Sequence, residues 1–128
     1  MKSLKDISIL LVDDYEINLQ VLSLSLKALS LTGDKAINGL EAYEKYMETP
    51  YDLILLDIMM PILDGYETSL KIRSFERENN IEPSVIIAVS ANRETYNLQE
   101  LQLYGIDDIL PKPFTIKDLR EKLSRYFA

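Results

Sequence analysis

Apolar residues along the chain fall into short blocks that end on polar residues. Ile7 to Val12 is a short apolar run, interrupted only by Ser8 and rich in branched side chains, and it stops at Asp13-Asp14. Leu53 to Leu56 stops in the same way at Asp57, and Val85 to Val89 stops at Ser90. Runs this short and this apolar predict strands buried on both faces. Weaker strand-like segments lie near Thr32–Ile37 and Asp108–Leu110.

Helical spacing fills the intervals. Ala42, Tyr43, Tyr46 and Met47 predict a helix over Glu41–Met47. Leu70 and Ile72 predict one over Tyr66–Phe75, and Leu98 and Leu101 mark another that Gly105 stops. Ile116, Leu119, Leu123 and Tyr126 form a helical stripe within Thr115–Phe127, with Thr115 placed to cap it. After Asp14 the pattern is double. Leu22, Leu24 and Leu26 alternate like a strand, whereas Ile17, Val21, Leu24 and Ala28 repeat like a helix. The order of elements favours the helix. Polar Glu76–Pro83 is the expected mobile loop.

Strand and helix thus alternate five times, which predicts a doubly wound parallel sheet with helices on both faces. The 128 residues fit one domain, spanning 1–128. In such sheets ligands bind beyond the C-terminal ends of the strands. The polar residues that end the apolar runs should therefore meet.

Composition removes several chemistries. The chain has no cysteine and no histidine, so thiolate sites, disulfides and an internal phosphohistidine are excluded. A net charge of −7 argues against a nucleic-acid surface. No apolar run approaches the ~20 residues of a membrane span, and there is no leader-like N-terminus, so a cytoplasmic location without membrane insertion is expected.

Asp13, Asp14 and Asp57 then stand at the ends of two strands expected to be neighbours. Clustered carboxylates repel, and a hard divalent cation such as Mg²⁺ (or Mn²⁺) compensates them. Lys112 after the fifth strand offers a mobile cation, and Ser90 after the fourth offers a hydroxyl donor. Carboxylate nucleophile, metal, ammonium and hydroxyl together suit phosphoryl transfer. Alone, each Asp reads as a turn former, Ser90 as a cap and Lys112 as a solvated charge. Their convergence on one sheet edge carries the functional reading.

Four stretches give a resemblance: Leu10-Leu11-Val12-Asp13-Asp14, Leu55 through Gly65, Val89-Ser90-Ala91 and Pro111-Lys112-Pro113-Phe114. In order and interval they resemble the receiver domains of response regulators and hybrid sensor kinases. The resemblance implies a flavodoxin-like fold, with five strands in the order 2-1-3-4-5 and five helices. It implies that Asp57 accepts a phosphoryl group from a sensor histidine kinase or a histidine phosphotransfer protein. Asp14, Asp57 and the Met59 carbonyl would ligate the metal, and Asp13 would act through a metal-bound water. Lys112 would pair with the phosphate and Ser90 would swing toward it. The peptide before Pro113 would be cis. Ala91 leaves the pocket open, while Met59 and Asn92 flank it and tune hydrolysis. Pro61 and Asp64-Gly65 would shape the turn after Asp57, with Gly65 supplying unusual backbone angles. Output would pass to a downstream protein at the face of the fourth helix, fifth strand and fifth helix.

One position departs from the family. Many receivers carry Tyr or Phe three residues before the lysine, and here that residue is Ile109. The face near Leu98, Gln102, Ile109 and Pro111 should then shift without a large ring rotation. Ile109 as plain strand packing fits equally well. The protein is expected to be a self-modifying switch with slow autodephosphorylation rather than a turnover enzyme. A pseudo-receiver that only binds partners is one alternative. An aspartate-nucleophile phosphatase is disfavoured, because Met59 stands where its second Asp is needed. A flavin binder is disfavoured because Asp13-Asp14-Tyr15-Glu16 would repel phosphate without a metal.

Overall fold

The computed structural model describes residues 2–91 and 97–128. Five strands and five helices alternate among them: β1 (Ile9–Val12), α1 (Glu16–Ala28), β2 (Asp34–Ala36), α2 (Gly39–Glu48), β3 (Leu53–Leu56), α3 (Gly65–Glu78), β4 (Val85–Ser90), α4 (Leu98–Leu103), β5 (Asp108–Pro111) and α5 (Ile116–Ser124). The strands form one parallel sheet in the order β2-β1-β3-β4-β5. The expected fold class and strand order therefore hold. Among the described residues no helix is long and apolar enough to cross a membrane.

Unbroken apolar runs make sense in this sheet because both faces are covered. Leu10, Val12, Ile54, Leu56, Ile86 and Ala88 point to one side, into a core with Ala42, Tyr46, Ile72 and Leu101. The residues between them, Ile9, Leu11, Leu53, Leu55, Ile87 and Val89, point to the other, into a core with Leu19, Leu22, Leu26, Leu119 and Leu123. Successive residues of each strand alternate between the two cores.

The helix after Asp14 forms, but on a different stripe from the one that suggested it. Leu19, Leu22 and Leu26 are buried, whereas Ile17, Val21 and Leu24 are 54%, 51% and 66% exposed. The helix carries two apolar faces, and only one meets the sheet. Leu70 is likewise exposed, and Ile72 fills the core from α3.

The expected loop Glu76–Pro83 is also corrected at its start. α3 continues through Glu78, and Glu76 is 2% exposed. Its carboxylate accepts hydrogen bonds from the Tyr46 hydroxyl at 2.6 Å and the Ser84 amide at 2.8 Å. Arg73 donates to it at 2.8 Å and also bonds the Ser84 carbonyl, the Gly105 carbonyl and Asp107. A buried carboxylate is tolerable because every oxygen is met by a donor or a cation. At α5, Thr115 and Asp118 form a reciprocal capping box.

Candidate functional site

The register places the polar chain ends together. Val12 pairs with Leu56 across β1 and β3, so Asp13 and Asp57 leave adjacent strands at the same level. Ser90 pairs with Pro111 across β4 and β5, which sets Lys112 beside it; the Lys112 amide donates to the Ser90 carbonyl at 2.7 Å. Ser90 itself closes β4 and is 5% exposed.

Asp13, Asp14 and Asp57 converge so that one carboxylate oxygen from each lies within 4.8 Å of the others. Their surroundings differ. Asp13 is buried; its Oδ1 accepts from the Tyr15 amide at 2.9 Å, and its Oδ2 lies 3.5 Å from Lys112 Nζ. Asp14 faces solvent, and Asp57 is half-buried between them. At 3.5 Å the Lys112 contact is at the outer limit of a hydrogen bond.

Burial pushes the Asp57 carboxyl up from 3.8 to about 6, and the charge of Asp13 adds to this. Lys112 and the Met59 amide pull it down, and Asp14 pushes it up again. A carboxylate disfavoured by its carboxylate neighbours is what a cation would relieve. Three hard oxygen donors, one of them open to water, fit Mg²⁺, which keeps several of its waters.

The turn after Asp57 differs from expectation. The residue with positive φ is Ile62, at 72°, not Gly65. The Leu63 amide bonds back to the Pro61 carbonyl at 2.9 Å, closing a three-residue turn. Gly65 is needed for space instead. A Cβ there would lie 2.7 Å from the Asp57 carbonyl oxygen and from Ile58 Cα.

Of the other expected residues, Met59 is 73% exposed beside the cluster, and Ala91 is exposed at the end of β4. Asn92 lies outside the described residues. The Lys112–Pro113 peptide is cis, as the resemblance implied. Ile109 is half-buried, pairs with Ala88 and packs against the core on the α3 and α4 side. The sequence reading missed a groove of about 340 Å³ lined by Asn18, Val21, Leu22, Lys112, Pro113 and Phe114. It runs from the exposed face of α1 to the site. Surplus apolar residues on a single helix were its only signal.

Comparison with known proteins shows the family. The family model for the response regulator receiver domain matches residues 9–124. Histidine kinase 5 of Arabidopsis thaliana is 36% identical over 92% of the chain, which spans 15% of that kinase. The chain spans only a small fraction of the length of the curated relatives it matches. The receiver domain of sensor histidine kinase PA1611 from Pseudomonas aeruginosa is similar at 32% identity and a TM-score of 0.81, covering 94% of this chain and 96% of that one. That structure holds a magnesium ion coordinated in its active-site cleft. The Ssk1 receiver domain of Saccharomyces cerevisiae, crystallised with the histidine phosphotransfer protein Ypd1, has a TM-score of 0.87 at 30% identity, over 98% of this chain and 91% of that one.

Proposed function

Because the chain belongs to the response regulator receiver domain family of signalling switches, we propose that Asp57 is its phosphoacceptor, working in a Mg²⁺-dependent phosphorelay. The observation that carries this is the convergence of Asp57 with Asp13 and Asp14 at one sheet edge, with Lys112 leaning into the same cluster.

In this reading a carboxylate oxygen of Asp57 attacks phosphorus while the bond from phosphorus to the donor's imidazole nitrogen breaks. The imidazole leaves with the electron pair, and the acyl phosphate remains on Asp57. Burial holds the metal-free Asp57 carboxyl up at about 6, and a bound cation would favour the ionised form that attacks. A bound Mg²⁺ would neutralise charge on the phosphoryl oxygens, held by Asp14 and Asp57 and, through water, by Asp13; the Met59 carbonyl is the proposed third protein ligand. Mn²⁺ offers the same donor preference. Lys112 would move from Asp13 to a phosphoryl oxygen, and the Ser90 hydroxyl would donate to another. The product carries about two negative charges, which Lys112 and Ser90 would meet. Met59 and Ala91 are exposed; in this reading water enters there and slowly hydrolyses the acyl phosphate, with Met59 and Asn92 tuning the rate, so the switch resets itself.

The donor would be a sensor histidine kinase or a histidine phosphotransfer protein. Its docking surface is proposed to be the exposed α1 stripe Ile17, Val21 and Leu24 with the groove up to Phe114, which is lined on the site side by Lys112 and Ala91. Output is proposed at the separate face of α4, β5 and α5, near Leu98, Gln102, Ile109 and Pro111.

Acetyl phosphate with Mg²⁺ should add one phosphoryl group per chain by intact mass. Chelation or Asp57→Asn should abolish it. Labelling that survives both would remove the proposal.

A further inference from the structure

Two side chains of α3 end on consecutive residues at the C-terminal end of α4. Tyr66 stacks on Tyr104, the residue that caps α4, with ring centroids 4.6 Å apart and planes tilted 53°. Arg73 Nε donates to the Gly105 carbonyl at 2.9 Å. Tyr66 and Arg73 lie about two turns apart, so they share one face of α3. Among the described residues this ring pair is the aromatic contact between α3 and α4.

The two ends of this face are held differently. At Arg73 the contact is an anchor. The guanidinium also bonds Glu76, the Ser84 carbonyl and Asp107. Gly105 has φ 84°, and a Cβ there would lie 2.6 Å from Arg73 Cγ, so the close approach depends on its being glycine. At Tyr66 the helix is tied to the acceptor. Gly65 precedes it, donates its amide to the Ile58 carbonyl at 2.9 Å and leaves no room for a methyl against the Asp57 carbonyl. A shift of the Asp57–Ile58 backbone therefore moves the first turn of α3, and Tyr66 moves with it. A tilted ring stack tolerates sliding, whereas the four-way guanidinium contact does not.

We propose that α3 passes the state of Asp57 to the α4–β5 face, with the Tyr66–Tyr104 ring pair as the moving contact and the Arg73–Gly105 bond as the pivot. The proposal rests on the receiver reading. Tyr66 and Ile109 pack against the same core, so displacement of the ring reaches β5 as well as α4. Both tyrosines act by position and touch no reacting atom.

The test uses the whole chain with Mg²⁺ and beryllofluoride, a tetrahedral stand-in for the phosphoryl group, whose binding is read from its fluorine resonance. In wild type carrying labelled tyrosines, the Tyr66 and Tyr104 ring signals should shift on binding. Tyr66→Leu and Tyr104→Leu should each reduce the beryllofluoride-induced change in amide exchange over residues 98–111 by about two- to thirty-fold. Tyr104→Phe keeps the ring and should keep the response. Beryllofluoride should still bind every variant. Unshifted rings in bound wild type would overturn the proposal, and so would full responses in both leucine variants. The wild-type ring measurement decides the matter even if a leucine variant fails to fold. If wild type itself does not bind beryllofluoride, the receiver reading fails, and this inference goes with it.

Discussion

Replacing Asp57 by Asn should stabilise the metal-free fold, and the gain should depend on pH. In the folded chain burial and the neighbouring Asp13 hold the Asp57 carboxyl at about 6, against 3.8 for a free side chain. The unfolded chain therefore releases this proton first as pH rises. Below roughly pH 4 both states keep it, and Asp57 costs nothing. Through the window from roughly pH 4 to 6 stability is lost, and above about pH 6 the cost is constant. At about 1.4 kcal/mol per pH unit the upper limit is about 3 kcal/mol. Asp57 is only half-buried, and screening by water and salt at the mouth lowers this to about 1–2 kcal/mol. Asn has the same shape and no charge, so it removes the cost. Urea unfolding of wild type and Asp57→Asn in chelator, at pH 3.5 and pH 8, checks this. The mutant should be more stable by about 1–2 kcal/mol at pH 8 and equal to wild type at pH 3.5. Millimolar Mg²⁺ should close the gap, because it stabilises the wild-type cluster by mass action. An equal gain at both pH values, or none at pH 8, would show that the cluster does not strain Asp57.

Two further outcomes follow from the same geometry. Asp14→Ala should weaken Mg²⁺ binding more than Asp13→Ala, because Asp14 faces solvent while Asp13 is engaged by the Tyr15 amide and Lys112; a Mg²⁺ titration followed by tyrosine fluorescence reads this in a chain without tryptophan, and the reverse ranking counts against the ligand assignment. Arg73→Met should cost about 3–5 kcal/mol in urea unfolding, because it leaves the Glu76 carboxylate buried without its cation; a loss below about 1 kcal/mol would mean that Tyr46 and Ser84 suffice.

The sheet was legible in the sequence because its strands are buried on both faces, which leaves continuous apolar runs with abrupt polar ends. The site was legible for the same reason: those polar ends mark the edge where parallel strands deliver side chains. What periodicity could not decide was which of two apolar faces of α1 meets the core. Ile17, Val21 and Leu24 repeat as regularly as Leu19, Leu22 and Leu26, and spacing alone carries no sign of inside or outside. Glu76 was misread because a charged residue looks like surface, and its partners Tyr46, Arg73 and Ser84 are brought to it by tertiary structure. The turn was misread because Gly65 drew the expectation of unusual backbone angles, while the structure puts the positive φ on Ile62 and uses Gly65 for clearance.

The most direct measurement locates the modified residue. Borohydride reduces an acyl phosphate to the alcohol, so phospho-Asp57 would become homoserine at position 57, while a free carboxylate is untouched. After treatment with acetyl phosphate and Mg²⁺, then borohydride, peptide mass spectrometry should find homoserine at position 57 and unchanged aspartate at positions 13 and 14. Homoserine at position 13 or 14, or at none of the three despite an added phosphoryl group, would contradict the assignment of Asp57 as the acceptor.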